Sequence, residues 1–200
     1  MRVHDLLLIP ELFLPEENVV VWGGGFTEDE VKNIVAQCEL FEFNKGKVGG
    51  NLDQSLNLDI RDTDITWVEP CDATVFIYKR MAELAAKINH DKFQLDLTHF
   101  QPFQYGKYKK EGHYDWHTDS GPTLQEHRKL TFVVGLSDPD DYEGGELEIN
   151  ITGNHEKSFT TKIKKGDVVV FPSYLPHRVK PVTKGTRMTM VGWAVGPKAR

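Results

Sequence analysis

Cysteine is nearly missing from this 200-residue chain: only Cys38 and Cys71 occur, and their spacing is not that of a metal site. With no secretory signal, reduced thiols in a cytoplasmic setting are the expectation. Long apolar runs are absent too. Leu6-Leu7-Leu8-Ile9 stops at Pro10 and is flanked by Asp5 and Glu11, which does not suit a signal peptide. No stretch approaches membrane-spanning length, so no membrane association is expected. Positive charge is not in excess: 24 Lys and Arg face 30 Asp and Glu, a formal charge of −6. That balance gives no general affinity for nucleic acid or anionic lipid, and no nucleic-acid partner is expected. Internal repeats and low-complexity linkers are also lacking. What remains is an ordinary globular composition, long enough for one domain over residues 1–200 with a sizeable core.

Two helices are expected in the first part of the chain. Thr27 and Glu30 form a capping box, with Phe26 and Val31 as a hydrophobic staple. Val31, Ile34, Val35 and Cys38 follow at helical spacing. A second helix is expected from near Asp72, with Ile77, Met81, Leu84 and Ile88 as its apolar stripe. Between them, residues 45–64 are rich in Gly, Asn and Asp and read as a surface loop or a mobile lid over a substrate. Residues 1–92 thus read as a helical buttress with a lid.

From Phe93 the pattern changes to strands. Candidates are 94–108, 129–136, 146–151, 159–163, 168–171, 178–182 and 187–194, separated by turns such as Gly144-Gly145 and Lys165-Gly166-Asp167. Many short strands predict a mainly β chain with flanking helices (α+β), a β-sandwich or jelly roll over 93–197.

One constellation stands out beside these strands. His117 and Asp119 are two apart, so a strand presents both on one face, where they can grip one ion. His177, after the apolar run Val168 to Phe171, offers a third ligand. Two histidines and one carboxylate with open positions suggest non-haem iron(II). Arg187 lies between Gly185-Thr186 and an apolar run, where a buried arginine needs an anion; it suits a carboxylate co-substrate. Thr189 shares its face. A rival pair, His113 and Asp115, has the same parity, and periodicity does not choose between the two.

The stretch from Tyr108 to Asp119, Asp141 to Leu147, Lys165 to Pro172 and the closing His177 to Trp193 together resemble the prolyl 4-hydroxylase-like 2-oxoglutarate/Fe(II) dioxygenases. The resemblance covers about residues 95 to 197 and implies a double-stranded β-helix, a cupin-like jelly roll. It implies His117, Asp119 and His177 as iron ligands and Arg187 as the partner of the distal carboxylate of 2-oxoglutarate. Tyr108 would line the co-substrate pocket and Trp193 would sit near the active site, while Thr189, on the Arg187 face by strand alternation, is a candidate donor to the same carboxylate. The Tyr108-to-Gly112 spacing is one residue longer than is usual in the family, which leaves Tyr105 as an alternative to Tyr108. O2 is the other co-substrate, and the family often uses ascorbate to rescue oxidised iron. The retained Asp119 favours hydroxylation over halogenation.

The implied reaction is hydroxylation of an unactivated C–H bond, with 2-oxoglutarate decarboxylated to succinate and CO2. The implied substrate is a prolyl residue of a peptide or protein. A free amino acid, another small molecule, a non-enzymatic jelly-roll module and a cupin-like metalloenzyme without 2-oxoglutarate stay open as alternatives. Neither Arg61 nor Trp67, beside the expected lid, is assigned more than a candidate substrate contact. Nothing in the sequence sets the oligomeric state.

Overall fold

A computed structural model describes residues 18–49, 55–121 and 127–197. The Leu6 to Ile9 run and the middle of the expected lid lie outside the described residues. The chain runs β1 (Val20–Trp22), α1 (Glu28–Cys38), β2 (Asn44–Lys45), β3 (Arg61–Asp62), β4 (Asp64–Val68) and α2 (Val75–Ile88). It continues with β5 (His99–Phe100), β6 (Phe103–Tyr108), β7 (His113–His117), β8 (Arg128–Gly135), β9 (Tyr142–Gly144) and β10 (Leu147–Ile149). The last elements are β11 (Phe159–Thr161), β12 (Val168–Pro172), β13 (His177–Val179), β14 (Val182–Gly185) and β15 (Arg187–Val195).

The strands pair antiparallel into an eight-stranded sheet, β1-β12-β8-β15-β6-β4-β2 with β5 on β15, and a five-stranded sheet, β11-β10-β13-β7-β3. A β14–β9 ribbon joins them at one end. Side-chain alternation gives the larger sheet two buried faces. Val168 and Val170 of β12 enter one core with Ile34, Ile77, Met81 and Ile88 of the helices. Val169 and Phe171 enter another with Leu147 and Ile149 of the smaller sheet. Burying each such side chain contributes roughly 1.5–3 kcal/mol. Helices against one face and a second sheet against the other make the expected jelly roll with its α-helical support.

Local chemistry sets the element ends. The Thr27 side chain accepts from the Glu30 N–H and Glu30 answers on the Thr27 N–H, a complete capping box worth about 1 kcal/mol. Helix α2 starts at Val75, three residues later than the sequence suggests. The Asp72 position belongs to a turn in which Thr74 Oγ1 donates to Glu69 O at 2.6 Å and accepts from the Cys71 N–H at 2.9 Å. Two expected strands are each divided at a proline, which has no N–H for a ladder. Pro102 separates β5 from β6, and Pro181 separates β13 from β14. Residues 20–68 contribute four strands beyond the expected helices, and β3 and β4 form the downstream stem of the expected lid. Gly144 and Gly145 both have positive φ, 72° and 66°, and a Cβ on Gly144 would collide with Pro181 O. No helix among the described residues is long and apolar enough to cross a membrane.

The two thiols differ sharply. Cys38 is fully buried in the helical core, and burial pushes its thiol up to about 12. Cys71 is exposed, and its hydrogen bond with Thr74 lowers its thiol below the ordinary value. A thiol-reactive probe at pH 8 should therefore label one cysteine of the native chain rapidly and the second only on unfolding. Two equally fast labels on the native chain would contradict this packing.

Candidate metal centre and co-substrate pocket

Strands β7 and β13 are neighbours in the smaller sheet, and their register sets His117 directly opposite His177. Two residues past His117, the chain is tied back by Asp119 N–H to Ser173 O at 2.9 Å, which turns the carboxylate in beside the imidazoles. One ligand atom from each of His117, Asp119 and His177 falls within 4.8 Å of the others. Asp119 Oδ2 stands 3.4 Å from His177 Nε2, and Oδ1 stands 3.8 Å from His117 Nε2. With metal–ligand bonds of about 2.1 Å, adjacent ligands on one ion sit about 3 Å apart. The cluster therefore needs only small adjustments to close on a cation.

Each ring is presented by a hydrogen bond behind it. Nδ1 of His117 faces Asp115 O at 2.8 Å, and Nδ1 of His177 faces Leu175 O at 2.9 Å. A carbonyl only accepts, so both Nδ1 atoms carry a proton, and both Nε2 atoms are turned toward Asp119. Thr131 Oγ1 donates to Asp119 Oδ2 at 2.8 Å, steadying the carboxylate. Burial, reinforced by His177, pushes the His117 imidazole down to about 3, so it is neutral at pH 7. Burial alone would raise Asp119, but His177, then His117 and Arg128, hold its carboxyl well below the usual carboxylate range. A neutral imidazole such as that of His117 and an ionised carboxylate such as that of Asp119 are the forms that ligate a divalent ion.

The rival histidine is engaged elsewhere. His113 Nδ1 and Nε2 face Glu111 O and Asp59 O, at 2.9 and 3.0 Å. Burial would lower its pKa, but these two acceptors raise it, and neither nitrogen is offered to a metal.

The triad opens onto a cavity of about 870 Å³ that Arg187 also lines. Arg187 begins β15, opposite Tyr108 of β6, and its guanidinium carbon lies 5.1 Å from the Tyr108 ring centre. It is 2% exposed; it acts on the Tyr142 hydroxyl, but Nη1 and Nη2 have no partner within hydrogen-bond geometry among the described residues. A buried, unanswered guanidinium is costly, and a planar carboxylate is the acceptor whose shape matches it. This orphaned donor pair, beside a two-histidine, one-carboxylate cluster, fits iron(II) with a chelating keto-diacid.

Tyr108, Thr189 and Trp193 all line the same cavity. Tyr105 does not: its hydroxyl donates to Glu39 Oε1 at 2.8 Å on the helix side of β6. Residues 105 and 108 have opposite parity on that strand, so only one can face the cavity. Arg61 and Trp67 also line the cavity, and Trp67 packs on Trp193 with ring centres 6.0 Å apart. Trp116 is half-buried under the Arg178 guanidinium, 4.9 Å from its ring centre.

Several contributors escape a reading of the sequence. Arg128 stacks 3.8 Å over Trp193 and donates Nε to Gln101 Oε1 at 2.8 Å. Thr131 and Tyr114 touch two of the metal-ligand candidates. Thr131 had a faint signal, a lone polar residue inside the apolar run Leu130 to Val134. Arg128 had none.

Comparison with known proteins agrees with this geometry. Residues 103–195 match the family model described as the 2OG-Fe(II) oxygenase superfamily. A PKHD-type hydroxylase from Synechococcus is 40% identical over 91 residues, covering 46% of this chain and 40% of the relative. Another, from Idiomarina loihiensis, is 30% identical over 168 residues, covering 82% of this chain and 72% of the relative. Among solved structures, a Pseudomonas putida prolyl-4-hydroxylase superposes with a TM-score of 0.72 at 22% identity, over 90% of this chain and 93% of that one. A Trichoplax adhaerens prolyl hydroxylase, solved with a hypoxia inducible factor peptide fragment, gives 0.73 at 20% identity, over 91% and 85% of the two chains. The structural likeness establishes the fold. The Idiomarina alignment, which runs across most of both sequences, establishes descent, and the chain belongs to the 2OG-Fe(II) oxygenase superfamily.

Proposed function

We propose that this chain is a 2-oxoglutarate- and iron(II)-dependent hydroxylase acting on a prolyl residue of a peptide or protein. The observation that carries the reading is the buried, unpartnered Arg187 guanidinium in the same cavity as the His117, Asp119 and His177 cluster.

In this reading His117, Asp119 and His177 hold the iron, and Arg187 holds the far carboxylate of 2-oxoglutarate. Once bound, iron(II) with 2-oxoglutarate and O2 supplies the oxidising power that hydroxylates a C–H bond, leaving succinate and CO2. The protein supplies orientation. Arg187 fixes the diacid at one end by a charge-assisted, two-pronged contact. Thr189, on the same strand face, offers a hydroxyl to the same region, and Tyr108 closes the wall beside it. Val133, Leu147, Val179 and Val191 line the cavity with apolar surface that limits water around the reacting atoms.

Two features favour a macromolecular substrate. The cavity lies at the upper end of the roughly 300–1,000 Å³ range of small-molecule sites, so it has room beyond a five-carbon diacid. Among the described residues, six large apolar side chains between residues 40 and 67 are exposed: Leu40, Phe41, Leu56, Leu58, Ile60 and Trp67. Phe41 and Trp67 also line the cavity. Exposed apolar side chains at the cavity suit an extended chain docking across it. The relatives' names, PKHD-type hydroxylase and prolyl hydroxylase, favour proline as the target.

Succinate release across a library of proline-containing peptides, beside free proline and other amino acids, tests the reading. Contacts remote from the reacting carbon raise turnover, so a cognate peptide should exceed free proline by about tenfold or more. Release stimulated by a free amino acid and by no peptide would defeat the peptidyl assignment.

A further inference from the structure

We propose that Tyr114 is a positioning residue for the metal ligand His117, and that Arg61 holds Tyr114 in place. This rests on the metal-centre reading above and goes beyond it. The Tyr114 and His117 rings are stacked, with centres 3.5 Å apart and planes 12° from parallel. At that separation the imidazole fills one face of the phenol ring. The Arg61 guanidinium carbon lies 4.4 Å from the same ring centre, which leaves it the other face. Arg61 is itself buried and tied down: Nη2 donates to Gln104 Oε1 at 2.6 Å and Nη1 to Lys47 O at 3.3 Å. Gly46 packs so closely on its Nε that a Cβ there would collide with it.

His117 lies beside an irregularity in its strand. In the β7–β13 ladder His117 faces His177 and Tyr114 faces Val179, so three steps on β7 match two on β13. The extra residue is a bulge, and bulges re-aim the side chains beside them. The hydrogen bond behind the His117 ring, to Asp115 O, comes from inside the same bulged stretch. His177 is better placed, being 5% exposed and packed edge-on against Phe171 with ring centres 4.8 Å apart. His117 meets His177 at a tilt of 54° with ring centres 4.2 Å apart, so the flat contact against its ring is Tyr114. Arg61 lies directly across from Tyr114 in the β3–β7 ladder, so the cation sits over the ring by register.

Groups that orient metal-binding histidines are commonly worth about 10–100-fold in metal affinity. Manganese(II) and cobalt(II) binding to the whole chain provides the test, with the visible absorption of the cobalt form reporting ligand geometry. Tyr114→Leu should weaken manganese binding about tenfold or more and alter the cobalt spectrum. Tyr114→Phe should restore both, because the stack and not the hydroxyl is responsible. Arg61→Met should weaken binding about two- to fivefold, the scale of a cation–π contact. Tyr114→Leu with wild-type affinity and spectrum overturns the proposal, as does a Tyr114→Phe variant as impaired as Tyr114→Leu. Should circular dichroism show Tyr114→Leu unfolded, Arg61→Met decides: a shifted cobalt spectrum supports the proposal and an unchanged one overturns it. Failure of the wild-type chain to bind either metal stoichiometrically would instead count against the metal-centre reading. Stoichiometric binding untouched by Tyr114→Leu would leave that reading standing and remove this one.

Discussion

Arg187→Met is expected to weaken 2-oxoglutarate binding by at least about 100-fold while leaving manganese(II) affinity within about threefold of wild type. Removing one partner of a buried ion pair costs about 3–5 kcal/mol, because the other charge is left without an answer. Each 1.4 kcal/mol is a factor of about ten in affinity, so a loss of 100- to 1,000-fold or more follows. The same substitution should act differently on the ligand-free protein. There the guanidinium is 2% exposed with both terminal nitrogens unpartnered among the described residues, and its burial opposes folding. Methionine has similar length and no charge, so the ligand-free variant should be as stable as wild type or more stable. Thermal unfolding with manganese separates the two effects. Adding 2-oxoglutarate should raise the wild-type midpoint and leave the variant's where it was. A variant that still gains stability from 2-oxoglutarate would show that the diacid is held elsewhere.

Asp119→Ala is expected to lower manganese(II) affinity by more than about 100-fold and to reduce substrate-dependent succinate release by about 1,000-fold or more. The scale follows from the coordination sphere: groups behind a ligand are already worth about 10–100-fold, and a ligand is worth more. The carboxylate also supplies the only negative charge among the three clustered side chains, and Thr131 already steadies it for that role. His113→Ala is the matched control. His113 is engaged by two backbone carbonyls and does not line the cavity, so its variant should bind manganese within about twofold of wild type. Equal metal binding by Asp119→Ala and wild type would remove the carboxylate from the site. A large loss in His113→Ala with none in Asp119→Ala would transfer the centre to the rival pair.

Much of the framework was legible without coordinates. The two-residue spacing put His117 and Asp119 within reach of one ion, although Asp119 lies past the end of β7 and a turn rather than strand alternation brings its carboxylate in; helical periodicity picked Ile77, Met81, Leu84 and Ile88, all of which are buried. The capping box at Thr27 was readable because its partners are three residues apart. Prolines were the weak point. Pro102 and Pro181 each interrupt a ladder inside what reads as a continuous strand, and local pattern does not show which N–H groups a ladder requires.

The sequence by itself determined the chemistry on offer: two histidines and a carboxylate, one histidine two residues from that carboxylate, and an arginine in an apolar run. Those are local properties, fixed by backbone periods of two and 3.6 residues. Only the tertiary structure showed which histidine ring faces Asp119 and which is taken up by backbone carbonyls. His113 and His117 have the same parity, and the choice fell to a carbonyl of Asp59, distant in sequence, that occupies the His113 ring. Only the sheet order decided that Tyr108 and not Tyr105 faces the cavity, and only cross-strand register laid Arg61 over Tyr114 and Arg128 over Trp193. Contacts between residues far apart in the chain depend on how strands pair and where the chain turns back, and no local period carries that information.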